Sequence, residues 1–323
     1  MRKAALLYNP ESGGRRTQRR PELEAVLALL RQAGIEASLL HSHSRDQAVG
    51  HTRQAILAGC DTIFACGGDG TVHNVVQVLA KSHVALAVLP MGTANALAHD
   101  LRIPLDPAAA ARAALRATPR RIALGRIQCF DFDGKPAIRY FTIAAGIGVD
   151  AHLFYKLNPS VKARLGMAAY YVKAWHLWLT HRMSRFEVEY AAAGAAGSNA
   201  DAIRASVTEL LAVRVRNFGG VLRELAPGAS LHNNHLRVVL CLSENRAAYL
   251  LYVLRGLLGQ RWNVPGIELV NSHNLVCRYL PPAPGKRPVE SKICVEADGE
   301  LLGTLPAEIT IVPDALTLLA PAP

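Results

Sequence analysis

"FACGGDGTVHNVVQVLA", residues Phe64–Ala80, runs from an apolar strand through three glycines and one aspartate into a helix. A glycine-rich turn at that junction gathers backbone N–H groups at the helix N-terminus, where the positive end of the helix dipole attracts phosphate oxygens. Gly67, Gly68 and Gly70 are expected to supply positive φ and room for a ligand, and Thr71 to cap a helix running to Ala80. Asp69 is the odd member, because a carboxylate beside phosphate is repelled unless a cation lies between them. It either reaches Mg²⁺, accepts a proton, or serves only as the cap of a tight turn.

Outward from this stretch, strand and helix signals alternate. "KAALLYN", "EASLLHS", "DTIFACGG" and "VALAVLPMG" read as strands, while "PELEAVLALLRQAG" and "RDQAVGHTRQAILAG" read as helices closed by Gly34 and Gly59. Alternation of this length implies parallel pairing, and the doubly apolar "TIFAC" and "VALAVL" suit a sheet covered on both faces. The expected first domain, residues 1–120, is an α/β nucleotide-binding domain with a parallel, Rossmann-like sheet.

"NPESGG" follows the first strand and "PMGTANALA" the fourth, so both open on the edge where open α/β sheets bind ligands. Asn9, Pro10, Ser12, Gly13 and Gly14 are candidates for holding phosphate or ribose. Gly92, Thr93 and Asn95 either fix a phosphate tail or simply build the turn. A Walker A loop is absent from the sequence. "GIGVDA" at Gly146 imitates a dinucleotide fingerprint, but lies in the later half and reads as a tight turn with Asp150.

Past Arg120 short strands dominate: "RIALGRIQCF", "IRYFTIAAG", "RFEVEY", "ELLAVRVRN", "LRVVLCL", "IELVNS", "NLVCRYL" and "KICVEADG". A β-rich, sandwich-like domain over residues 121–312 is expected, with the tail 313–323 packing back on the first. Two helical insertions interrupt it, Asp150 to about Arg182 and "NRAAYLLYVLRGLLGQ"; "AAAGAAGSNA" reads as a hairpin tip.

The 323-residue chain is half hydrophobic and carries a formal net charge of +11, which favours an anionic partner: nucleic acid, acidic membrane or phosphorylated ligand. No RNA-binding signature supports the first of these. The six cysteines are scattered, without C-x-x-C pairs, and read as reduced thiols filling the core of a cytoplasmic protein. No secretory leader is read at the start and no uninterrupted apolar span suits a membrane crossing.

"NPESGG", "GGDGTVHNVV", "PMGTANALA", "GIGVDA" and "DGE" (Asp298, Gly299, Glu300), in this order, resemble the diacylglycerol kinase and sphingosine kinase superfamily, most closely its bacterial soluble members. The weaker "RLGMAAY" (Arg164–Tyr170) and "NFGGVLRELAPGA" (Asn217–Ala229) extend the resemblance over nearly the whole chain. It implies ATP and Mg²⁺ in a cleft, and transfer of the γ-phosphate to a lipid hydroxyl of diacylglycerol, a sphingoid or ceramide-like base, or phosphatidylglycerol. It places Asn9 and its loop, Gly67–Thr71 and Thr93 at the nucleotide, with Ser42 a weaker assignment. It makes Asp298 and Glu300 the acidic pair, Glu300 being the conventional proton acceptor. From the residues alone, "ADGEL" is equally an Asp-Gly hairpin turn. Several relatives carry "DDG" and a structural Mg²⁺ where this chain has His232, Asn233 and Asn234 in "PGASLHNNHLRV", so that second metal site is expected to be absent or weak.

"LGMAAYYVKAWHLWLTHR" sets Tyr170, Tyr171, Trp175 and Trp178 beside Lys173 and Arg182, which suits a lipid pocket mouth or an ordinary core-facing helix. "YLLYVLRGLLGQRW" is similarly apolar and reads as a second wall. With the basic surplus, this predicts peripheral association with an anionic membrane. Arg15, Arg16, Arg19 and Arg20 either neutralise nucleotide or form a solvated face. The alternative function is a soluble-metabolite kinase of the NAD-kinase type.

Overall fold

Six-residue apolar strands build the centre of the first unit: β1 (Lys3–Tyr8), β2 (Glu36–His41), β3 (Thr62–Gly67) and β4 (Ala85–Pro90). This is a computed structural model, and it describes residues 1–10, 19–148, 183–193, 202–218, 224–281 and 292–321. All four strands pair in parallel in the order β2-β1-β3-β4, with Leu6 beside Phe64 and Phe64 beside Ala87. β3 and β4 are buried along their whole length, as a sheet covered on both faces requires. Helices α1 (Arg19–Gln32), α2 (Arg45–Leu57), α3 (Asp69–Leu79), α4 (Ala96–Asp100) and α5 (Pro107–Arg116) accompany them. The order is the 2-1-3-4 winding of doubly wound sheets rather than the 3-2-1-4 order of the Rossmann fold, a correction to the expected topology. α5 was not read from sequence, although Asp106 caps it through Ala109 N–H and Pro107 opens it.

The remaining strands are β5 (Arg120–Phe130), β6 (Pro136–Phe141), β7 (Ala144–Gly148), β8 (Phe186–Ala192), β9 (Ile203–Val207), β10 (Glu209–Val213), β11 (Leu236–Cys241), β12 (Ile267–Tyr279), β13 (Cys294–Ala297) and β14 (Glu300–Leu319). One further helix, α6 (Arg246–Leu257), precedes β12. β13, β7, β10, β11, β12, β8 and β9 follow one another in antiparallel pairs. β14 pairs with β13 through its first residues and with β12 at Ala307–Thr310, so the strands close around one core that includes Phe141, Ile147, Phe186, Leu240, Val295 and Ile309. The predicted "IELVNS" and "NLVCRYL" are one strand with an irregularity between Ser272 and Leu275, while "IRYFTIAAG" divides into β6 and β7. "GIG" lies in β7, not in a turn.

The chain divides into two compact units. One comprises Met1–Leu124, Asn217–Arg223 and Val312–Pro323; the other comprises Gly125–Arg216 and Glu224–Ile311. Within the first, Thr317–Leu319 of β14 adds to β4 in parallel, and the Asn217 N–H donates to Asp100 at 2.9 Å. All six cysteines are buried free thiols, and burial pushes Cys129 up to about 11. The expected helix from Asp150 to Arg182, Asp150 of "GIGVDA", "RLGMAAY" and most of "AAAGAAGSNA" lie outside the described residues.

Candidate active site

In a 2-1-3-4 sheet the crevice for a ligand opens beyond the carboxyl ends of β1 and β3. Asn9 and Pro10 stand at the end of β1, half-buried, and the Asn9 N–H donates to Cys66 O at 3.4 Å. Ser12, Gly13 and Gly14, like Arg15 and Arg16, lie outside the described residues.

At the end of β3 the helix starts two residues earlier than its spacing predicted. Gly68 is the N-cap at φ −91 and Asp69 the first helical residue. None of Gly67, Gly68 and Gly70 has positive φ, contrary to expectation. Their need is proximity instead. A Cβ on Gly92 would stand 2.4 Å from Gly68 Cα, and one on Gly68 would stand 3.2 Å from Gly92 Cα. The turns after β3 and β4 thus touch through bare backbone. Met91 N–H donates to Gly67 O at 2.9 Å, and Leu97 N–H to Asp69 Oδ1 at 3.4 Å. Asn95, at φ 49, closes its side chain onto Gly92: its Oδ1 accepts from Gly92 N–H at 2.8 Å and its Nδ2 donates to Gly92 O at 3.0 Å. Asn95 is therefore a builder of the turn.

Thr71 is not the cap. It sits inside the first turn of α3, buried, and its Oγ1 has no hydrogen-bond partner among the described residues. A buried hydroxyl left unpaired costs about 1–3 kcal/mol, so a polar group from outside is the economical partner. Thr93 is exposed. Ser42 is buried, extends the β1–β2 pairing through N–H to Tyr8 O at 2.9 Å, and shares a 3.2 Å hydrogen bond with His51 Nδ1. Of the arginine group, Arg19 is buried in α1 and Arg20 pairs with Glu24.

The second unit carries the acidic turn. β13 and β14 are joined by two residues with positive φ, Asp298 at 50 and Gly299 at 82, the Asp-Gly hairpin of the sequence reading. Asp298 Oδ1 accepts from Ile143 N–H at 2.8 Å and Ala144 N–H at 3.1 Å; Oδ2 accepts from Thr142 N–H at 3.0 Å. Its carboxylate is a clamp on the start of β7. Glu300 is exposed, and among the described residues no hydrogen bond or ion pair engages its carboxylate.

Two buried acids were missed from sequence. Glu296 Oε2 accepts from Gly299 N–H at 2.8 Å, tying the turn from below. Glu209 lies beside Gly148, where a Cβ would stand 2.7 Å from its Oε2; a Cβ on Gly146 would stand 2.8 Å from Glu296 Oε1. A signal was present in the glycines: Gly146 and Gly148, two apart on β7, share a face and make room for Glu296 and Glu209.

In "PGASLHNNHLRV", the carbonyls of Asn233, His235 and Leu231 accept from the Arg214 guanidinium at 2.8, 2.9 and 3.0 Å. Burial lowers Arg214 to about 10, which still leaves it charged at neutral pH. A fixed cation and three neutral carbonyls do not make a magnesium cage, so these residues do not fit the second metal. Elsewhere among the described residues no group of three His, Cys, Asp or Glu could hold a metal ion. Among the described residues of the glycine turns, Asp69 offers the one carboxylate, which suits a cation shared with a phosphate ligand rather than a resident one.

A two-unit architecture with glycine turns at the tips of a parallel sheet and an acidic hairpin on a closed β unit is the layout of a two-domain kinase. Two family profiles match: Diacylglycerol kinase catalytic domain over residues 3–127, and YegS C-terminal NAD kinase beta sandwich-like domain over residues 143–320. The chain belongs to the diacylglycerol kinase family of lipid kinases. It is 29% identical over 311 residues to the Diacylglycerol kinase of Bacillus subtilis (strain 168), covering 95% of this chain and 93% of that one. It is 24% identical to that of Staphylococcus saprophyticus, covering 76% and 75%. A crystal structure of a diacylglycerol kinase from Bacillus anthracis superposes with TM-score 0.71 at 21% identity, covering 98% of this chain and 96% of that one. Yeast NADH kinase shares the fold at TM-score 0.50 and 10% identity, covering 99% and 84%.

Proposed function

We propose that the protein transfers the γ-phosphate of ATP to a hydroxyl of a membrane lipid, with diacylglycerol the first acceptor to test. The observation that carries this reading is the pair of interlocked glycine turns with a buried Thr71 hydroxyl, unpaired among the described residues, at the start of α3. The backbone of Gly67–Thr71, with Asn9, Pro10, Ser12–Gly14, Gly92 and Thr93, binds and orients the triphosphate. Ser42 and Asn95 support this from behind, through His51 and the Gly92 turn. Mg²⁺ bound with ATP would be held by Asp69 and would neutralise phosphate charge.

In the transfer, the lipid hydroxyl oxygen bonds to the γ-phosphorus and the bond to the β–γ bridging oxygen breaks, releasing ADP. The hydroxyl proton passes to Glu300, an exposed acid that no described residue engages. Asp298 orients that turn rather than taking the proton, because its oxygens already receive backbone N–H bonds. The reading includes a cytoplasmic protein associating peripherally with an anionic membrane surface, favoured by the net charge of +11.

The test is labelled ATP with Mg²⁺ and, separately, diacylglycerol, sphingosine, ceramide, phosphatidylglycerol and NAD. Labelled lipid product that disappears in Asp69→Ala, with unchanged circular dichroism, is expected. Label entering NAD and no lipid would replace this reading with the soluble-metabolite one.

A further inference from the structure

α6 is amphipathic the wrong way round. A surface helix ordinarily turns its apolar stripe to the core and its charges to water. Here Arg255 is 2% exposed, whereas Leu250, Leu251, Leu254 and Leu258 are 37%, 42%, 44% and 59% exposed. Trp262, just beyond the helix, is 41% exposed. The inward side is pinned by polar chemistry. The Arg255 guanidinium lies over the Tyr252 ring, 4.2 Å from its centroid, and donates to Trp262 O at 3.2 Å and Leu225 O at 3.3 Å. The Tyr252 hydroxyl also donates to Leu225 O. Gly256 presses so close that a Cβ would stand 3.3 Å from Glu224 O. Rolling the helix to bury its leucines would expose this network and drive Gly256 away from its contact. The apolar stripe is therefore held outward by construction, and a contiguous exposed stripe calls for a partner.

We propose that this outer face of α6, with Trp262, is the element that docks the protein onto an anionic lipid bilayer; the proposal rests on the lipid-acceptor reading above. Residues 246–266 contain no acid; besides the inward Arg255 they carry Arg246 and Arg261, the latter paired with Glu224, and the chain's net charge of +11 complements anionic headgroups. A tryptophan and arginines flanking leucines suit the headgroup boundary. A second copy is the poorer occupant, since one face of a 12-residue helix is small against the ~800 Å² per partner of a stable interface.

The experiment is co-sedimentation of the full chain with vesicles of phosphatidylcholine, with and without phosphatidylglycerol. Leu250→Ser/Leu254→Ser/Leu258→Ser is compared with Leu57→Ser, a control at an exposed leucine on α2. The wild-type protein and the control should partition onto phosphatidylglycerol vesicles. The triple variant should bind at least about tenfold more weakly, with an unchanged melting temperature. Equal binding by the triple variant overturns the proposal. So does light scattering that shows a wild-type dimer and a monomeric variant. Should no lipid be phosphorylated by any of these proteins, the catalytic reading falls, and sedimentation alone still decides the docking face.

Discussion

At Gly68 and Gly92 two loops meet because neither has a side chain, whereas at Asp298 a loop is held by a side chain that reaches three backbone amides. Both devices fix backbone geometry beside the proposed chemistry. In the first, a Cβ on Gly92 collides with the main chain of Gly68 and one on Gly68 crowds Gly92, so the constraint is steric. In the second, the constraint is a set of hydrogen bonds, which a carboxylate supplies and an amide supplies in part. In the proposed function the glycine turns present backbone N–H groups to phosphate. The acidic turn uses Asp298 and Glu296 to hold backbone, and the proposal gives the exposed Glu300 the proton.

Four measurements would break or sharpen this contrast. Glu300→Gln should lower kcat on lipid by about 10²–10⁴-fold with the melting temperature unchanged. Asp298→Ala should instead unfold more easily, each orphaned amide costing about 1–3 kcal/mol; equal effects from the two variants would erase the division of labour. Gly92→Ala should cost about 1–3 kcal/mol of stability and about 100-fold in kcat/KM, whereas Gly50→Ala should leave kcat/KM unchanged, since a Cβ there meets nothing within 4 Å and the backbone is not left-handed. Arg214→Met should destabilise by about 1–3 kcal/mol for each carbonyl it orphans, read in denaturant titration, while the wild-type melting temperature should be the same in EDTA and in Mg²⁺. A wild-type shift on chelation would put a metal at the 231–235 loop after all.

The smallest effect concerns pH. Burial lowers His235, helped by the charges of His273, Arg214 and Arg237. The native state therefore resists the proton that the unfolded chain accepts near the ordinary histidine value of 6.5. Stability from this group is present above that pH and declines as pH falls through and below it. His235→Gln should flatten the acid limb of the melting curve, and an unchanged limb would remove His235 from the account.

Strand and helix signals of the amino-terminal third were legible because each strand there is short, apolar and bounded by glycine or proline. The β-rich half was harder. β14 runs through Pro306 and Pro313, residues that sequence reading takes as strand breaks, so its 20 residues passed unread. The motifs marked the right turns, yet the reason given for the glycines was wrong: φ at Gly68 is ordinary, and the partner requiring its bareness is 24 positions away. Glu296 was overlooked because a lone glutamate in a strand reads as a solvated one.

Local sequence alone determined the identity of the strand-helix units, the order of the glycine and acidic motifs, and hence the family. Those depend on periodicity and on residue types within a few positions. Tertiary structure decided the winding order of the sheet, the glycine-to-glycine contact, the hold of Asp298 on the amides of Thr142, Ile143 and Ala144, and the outward leucines of α6. Each of these is a relation between segments distant along the chain, and only packing, through excluded volume and the pairing of buried polar groups, sets such relations.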